Sequence, residues 1–188
     1  MVKLIRLGNP ILREACRELL PEEILSSKIQ QLINQMKTVV ADDDHGVGIS
    51  ANQIGEAVRI SVIAIKPTSF RPNREHFGKV LINPEIIETF GRRVGVWEGC
   101  LSGGKDKLFG RVLRYKKVRV KYLDEKAVPH EITLTDLPAH VIQHEVDHLN
   151  GIFFTDKVQR KSLMMADEYR SRIVGTKFGN YYEKNNKK

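Results

Sequence analysis

Apolar positions along this chain recur with two periods. From Pro21-Glu22-Glu23, an acidic opening with an early proline, Ile24, Ile29, Leu32, Ile33, Met36, Val39 and Val40 return at helical spacing as far as Ala41. The spacing predicts one long amphipathic helix. Asp42-Asp43-Asp44-His45 ends it and leads into a glycine-containing run, 46–53. Residues 58–65 then switch to the β-branched alternation of a strand, and 79–89, 93–98 and 112–123 repeat that period. Between the first two of these, Lys66 to Gly78 holds two prolines and reads as a loop. Asp124-Glu125-Lys126-Ala127 makes a turn into a further strand at 128–134. Helical spacing resumes after Thr135 or Asp136, with Pro138 in the first turn and Gly151 past the end. A second amphipathic helix is predicted around 160–174. At the front, the apolar residues 3–6 are broken by Gly8-Asn9-Pro10 before Ile11-Leu12, which suits an arm laid over the body.

Strands followed by helices with mostly short links predict an α+β fold, with antiparallel β-sheets packed around a central helix. A long helix in the first half and a C-terminal helix complete it. The expectation is one domain over 1–188 with a frayed basic tail from about residue 180. Composition does not disturb this picture: 41% hydrophobic and 29% charged residues over 188 positions are enough to bury a core without disulfides. Charge adds a bias, since 31 Lys and Arg against 23 Asp and Glu leave +8, which favours encounter with polyanions. No aromatic-interleaved basic motif accompanies that charge, so sequence-specific nucleic-acid binding is not expected. Neither a signal peptide nor a run of roughly 18 apolar residues is visible, so a cytoplasmic setting without a membrane partner is the expectation. There a cysteine near other donors is a candidate thiolate, and Cys16 and Cys100 are the two present.

The chemistry concentrates in the central helix. Gln143-His144-Glu145-Val146-Asp147-His148-Leu149-Asn150-Gly151 contains His-Glu-x-x-His, and residues four apart stand one turn above each other. His144 and His148 can therefore offer two imidazoles to one ion, while Ile142, Val146 and Leu149 form a core face. Glu145 and Asp147 flank the stripe on opposite sides, and helix pitch leaves open which of them moves protons. His140, one turn earlier, lies on the same stripe and competes as a ligand. A catalytic centre of this kind takes three protein ligands and keeps one position for water. Cys100, in Glu98-Gly99-Cys100-Leu101-Ser102 at the end of an apolar strand, is the best candidate for the third. Glu98 beside it is a candidate to orient the ligands by pairing with Arg111 or Arg114. The glycines at 46 and 48 lack the spacing of a nucleotide-binding fingerprint.

Three segments in this order, GVGISANQ at 46–53, EGCLS at 98–102 and QHEVDHLNG at 143–151, resemble the peptide deformylases. These are metal-dependent enzymes that remove the formyl group from the N-terminal formylmethionine of new polypeptides. The resemblance implies that Cys100, His144 and His148 are the metal ligands and that Glu145 is the general base and acid. It implies Gln53 and the backbone N–H of Leu101 as oxyanion donors. Val47, Gly48 and Gly99 match positions that grip the substrate backbone as an added strand. Leu137, Val141 and His140 match walls of the methionine pocket. One divalent ion is implied, iron(II) for activity, with zinc, nickel or cobalt also accepted by two nitrogens and one sulfur. The implied partner is the nascent formylmethionyl chain; separately, the +8 charge and the Lys-rich tail lead to an expected ribosomal contact through the helix around 160–174 and the tail.

The chain departs from the family's usual pattern at Ser50-Ala51-Asn52, at Gly103-Gly104, at His140 and in a longer loop from Gly103 to Arg111. These bear on substrate register and pocket size. An ordinary His-Glu-x-x-His metallopeptidase is the enzyme alternative, separated by cleavage at internal peptide bonds without formate. A ribosome- or RNA-binding paralogue with a structural metal is the other, for which a closed four-ligand site including His140 would speak.

Overall fold

A computed structural model describes residues 2–68, 75–104 and 108–174 of the protein. The basic tail and the centre of the Gly103–Arg111 loop lie outside the described residues. Among the described residues six strands form one connected sheet: β1 (Gly48–Ser50), β2 (Ile60–Ile65), β3 (Phe77–Gly99), β4 (Leu108–Leu123) and β5 (Pro129–Thr135) in that spatial order, with β6 (Met164–Met165) added to β4. All pairings are antiparallel. The helices are α1 (Pro21–Ile24), α2 (Ser27–Ala41), α3 (Asp136–Leu149), α4 (Phe154–Lys157) and α5 (Ala166–Arg172). The architecture is the α+β class read from the pattern, with one sheet rather than several.

The period-two alternation of β2 explains where the helices sit. Ile60 and Val62, paired with Ile82 and Val80, join the buried cluster of Leu32, Ile33, Met36 and Val40 from α2. Ile63 and Leu81, on the other face, join Ala139, Ile142 and Val146 from α3. The sheet at β2 is therefore covered on both sides, and α3 packs across the sheet against β1, β2 and β4.

Three boundaries differ from the sequence expectation. The first helix is two, because the Ser26 hydroxyl donates to the Glu23 carbonyl at 2.6 Å and accepts from Ile29 N–H at 3.3 Å, ending α1 and capping α2. The strands predicted at 79–89 and 93–98 are one, carried through by register shifts and by Gly91 at φ +70°. The helix predicted at 160–174 is a 3-10 turn at Arg160–Ser162, then β6, then the seven-residue α5. Pairing of Met164 and Met165 with Phe109 and Leu108 takes that segment into the sheet, and Tyr169 stacks on Phe109 at 4.1 Å.

The N-terminal arm does lie over the body. Ile5 N–H donates to Gln53 O, Leu7 N–H to Ser102 O and Cys16 N–H to Leu149 O, so the arm touches all three signature segments or their ends. It also passes tightly over Gly151, where φ is +71° and an added Cβ would stand 2.5 Å from Arg13 O. Gly151→Ala is expected to destabilise the protein by about 2–3 kcal/mol, from the left-handed backbone together with the clash, as read by urea denaturation.

Candidate active site

α3 carries His144 and His148 one turn apart, with their rings edge to face at 4.7 Å between centroids. Cys100 follows β3 and opens a 3-10 turn at Leu101–Gly103, which brings its thiol back over α3. One ligand atom from each of Cys100, His144 and His148 lies within 4.8 Å of the other two. Cys100 Sγ stands 3.2 Å from His148 Nε2, close to the ~3.5 Å edge expected of a tetrahedron with zinc-type bond lengths. Two nitrogens and a sulfur, buried or nearly so, fit a divalent ion of the borderline-soft kind. His140 is buried in α3 but is not among the converging ligands. Burial pushes its imidazole down to about 4, so it stays neutral at pH 7.

A guanidinium holds this arrangement from behind. Arg114, inside β4, donates to Glu98 through Nε at 2.6 Å and Nη2 at 3.0 Å, and to Asp147 through Nη1 at 2.5 Å. Glu98 Oε2 also meets His144 Nδ1 at 2.9 Å, which leaves Nε2 of that ring for the ligand cluster. Burial alone would raise the Glu98 carboxyl, but the hydrogen bonds from His144 and Arg114 outweigh it and bring it down to about 2. Arg111, the other partner considered for Glu98, lies elsewhere: its guanidinium sits across Gly95, where an added Cβ would meet Nε at 2.1 Å.

The two acids of the motif face different surroundings. Asp147 is held by Arg114 and, through its other oxygen, by Lys157. Glu145, buried, points the other way: Oε2 accepts from the Ser50 hydroxyl at 2.7 Å, and Oε1 lies 2.5 Å from where a Cβ on Gly48 would be. Burial is the largest influence on Glu145 and pushes it up to about 7, against the lowering effects of His144 and the Ser50 hydroxyl.

Gln53 ends the first signature segment in a 3-10 turn at Ala51–Ile54. Its amide donates to Cys100 Sγ at 3.3 Å and Ser102 Oγ at 3.2 Å, while its oxygen accepts from Ser50 N–H at 2.8 Å. Leu101 is buried and its carbonyl accepts from Arg6 at 3.2 Å. Gly48 sits on β1, the terminal strand of the sheet order, against Val141 and Glu145 of α3. Half-buried Val47 accepts from Ala64 N–H through its carbonyl, and both it and Leu137 pack on the cluster that contains Val141. Gly99 has a separate constraint, since the Phe109 ring occupies the space of its Cβ at 2.7 Å.

Several partners escape sequence reading. Asn52 donates to His148 O at 2.7 Å, Phe153 and Phe154 pack on His148 and His144, and Asp147 joins Arg114 across 33 positions of chain. Ser50 was visible only as an unusual residue in its segment.

Comparison with known proteins shows what the chain as a whole is similar to. A family model described as polypeptide deformylase matches residues 1–163. The chain is 34% identical over 175 residues to peptide deformylase 2 from Nostoc sp., covering 93% of this chain and 95% of that protein. It is 37% identical over 163 residues to a peptide deformylase from Aquifex aeolicus, covering 82% and 93%. Among solved structures it resembles the Met-Ala-Ser-bound class I type b peptide deformylase from Acinetobacter baumannii, with TM-score 0.77, 32% identity, and 84% and 98% of the two chains covered. The actinonin complex of a peptide deformylase from Synechococcus elongatus gives TM-score 0.72 at 33% identity, covering 84% and 79%.

Replacing Arg114 by Met leaves two buried carboxylates without their cation. Urea denaturation is expected to show a loss of about 3–5 kcal/mol. Metal titration of the same variant is expected to show affinity lower by about tenfold to a hundredfold, because His144 loses its anchored partner.

Proposed function

The chain belongs to the peptide deformylase family, a family of metal-dependent hydrolases, and from that premise we propose how its residues divide the work. Cys100, His144 and His148 hold one divalent ion, and Glu145 moves the proton. The observation that supports this best is the convergence of the three ligand atoms beside a carboxylate whose neighbour in the motif, Asp147, is occupied by Arg114 and Lys157. The reaction is the family's: hydrolysis of the formamide of an N-terminal formylmethionine to formate and a free amine.

A divalent ion in this site supplies Lewis acidity toward water and the formyl oxygen. Glu145 accepts the proton of the attacking water and passes it to the leaving amine, keeping the proton count even. The Gln53 amide and the Leu101 backbone N–H are neutral donors for the oxyanion, positioned beside Cys100 by their own segments. The substrate backbone lies along the edge of β1 at Val47 and Gly48 and across from Gly99, while Leu137, His140 and Val141 wall the methionine side chain. Met-Ala-Ser in the Acinetobacter baumannii relative is a peptide of the kind this groove would take.

We take iron(II) as the working ion, on the likeness to the family and on a two-imidazole, one-thiolate set that also accepts zinc, nickel and cobalt. The setting is the reducing cytoplasm, where Cys100 stays out of a disulfide and available as a ligand; both cysteines are free, and no described helix is long and apolar enough to cross a membrane. The +8 charge and the exposed Arg160, Lys161, Arg170 and Arg172 support contact with the ribosome near its nascent chains.

Protein prepared without oxygen is expected to release formate from formyl-Met-Ala-Ser in proportion to its iron content by metal analysis; iron-replete protein that leaves the peptide intact defeats the reading. Glu145→Ala is expected to lose activity by about a thousandfold while retaining its metal. Ribosome co-sedimentation is expected to fall steeply as salt rises, and salt-insensitive binding would contradict an electrostatic contact.

A further inference from the structure

β1 presents Gly48 and Ser50 to the same side, two residues apart, and that side faces α3. Gly48 leaves the space that Glu145 Oε1 fills, and Ser50 places its hydroxyl 2.7 Å from Oε2. The two residues thus bracket one carboxylate. Ser50 is paired across the strands with Ser61 of β2, and their hydroxyl oxygens are 3.1 Å apart. Both side chains are fully buried, on a face otherwise built from Ile63 and Leu81. Alanine would serve packing there equally well, and a buried hydroxyl without a partner is destabilising.

Counting protons shows what the hydroxyls do. Ser50 Oγ has three neighbours, Glu145 Oε2 at 2.7 Å, Glu145 O at 3.1 Å and Ser61 Oγ at 3.1 Å, but only one proton to donate. Ser61 has one proton as well, and either hydroxyl can donate in the bond between them. The nearest acceptor to Ser50 Oγ is Glu145 Oε2, so the Ser50 proton goes there and Ser61 donates to Ser50 Oγ. The result is a chain of donors, Ser61 to Ser50 to Glu145, that ends on the carboxylate.

We propose that Ser50 is a positioning residue for proton transfer: it pins Oε2 of Glu145, backed by Ser61, so that Oε1 is the oxygen directed over Gly48 toward the edge of β1. This rests on Glu145 being the proton-transfer group. A bland alternative is that the two serines only satisfy each other across the strands. The two differ in what happens when the hydroxyl is removed. On the alternative, Glu145 keeps its place.

The test uses the metal-loaded full chain and formyl-Met-Ala-Ser. Ser50→Ala is expected to lower kcat by about tenfold or more, with KM within about twofold and metal content unchanged, since the hydrogen bond that holds Oε2 of Glu145 is lost. Ser50→Thr, which keeps the oxygen, is expected to recover kcat to within about threefold. Thermal melting supplies a readout apart from activity: Ser50→Ala is expected to lower Tm in the wild-type background and to have a smaller effect in Glu145→Ala. Unchanged kcat in Ser50→Ala, metal loss from that variant, or equal Tm losses in both backgrounds overturns the proposal while leaving the role of Glu145 intact. Activity retained in Glu145→Ala removes both.

Discussion

One buried guanidinium ties together the two parts of the chain that the metal site needs. Arg114 reaches from β4 to Glu98 on β3 and to Asp147 on α3. The candidate ligand Cys100 lies two residues beyond Glu98, and the two candidate ligand histidines lie on either side of Asp147. A buried cation costs a great deal to desolvate unless its partners are well placed, and the same low dielectric makes each well-placed bond strong. Departure of either carboxylate would therefore be costly, and the strand end and the helix keep their relative position. Glu98 passes that constraint directly to a ligand by holding His144 Nδ1.

Four residues of α3 meet three different surroundings because a helix turns about 100° per residue. His144 and His148 share the ligand side, Glu145 turns toward β1, and Asp147 turns toward Arg114 and Lys157. β1 can approach the Glu145 side closely because Gly48 carries no side chain, and Ser50 fills the next position with a hydroxyl instead of a methyl. The close packing of strand on helix and the orientation of the acid are thus one arrangement. Its far side is closed by the N-terminal arm, whose passage over Gly151 follows directly from the end of the helix.

Much of this was legible in the chain. Periodicity identified the sheet class, the long first helix region and the central helix, and the His-Glu-x-x-His spacing with its family likeness identified the ligand set that converges in space. Errors fell where a side chain or a pairing partner overrides the local pattern: Ser26 splitting one helix, Gly91 and its bulge joining two strands, and β4 drawing residues 164–165 into the sheet. Local spacing alone could not separate Glu145 from Asp147, since both lie at similar angles from the histidine stripe.

The different surroundings of the two acids come from residues 33 positions upstream of Asp147 and 95 upstream of Glu145, namely Arg114 and Ser50. The same holds for Glu98, where both Arg111 and Arg114 were in range by sequence and only strand register and side-chain direction chose between them. The sequence by itself determined what repeats locally: helical and strand periods, turn residues, and two imidazoles one turn apart. Tertiary structure decided the charges and hydrogen bonds around those imidazoles, because such interactions depend on distances between segments that no local period encodes.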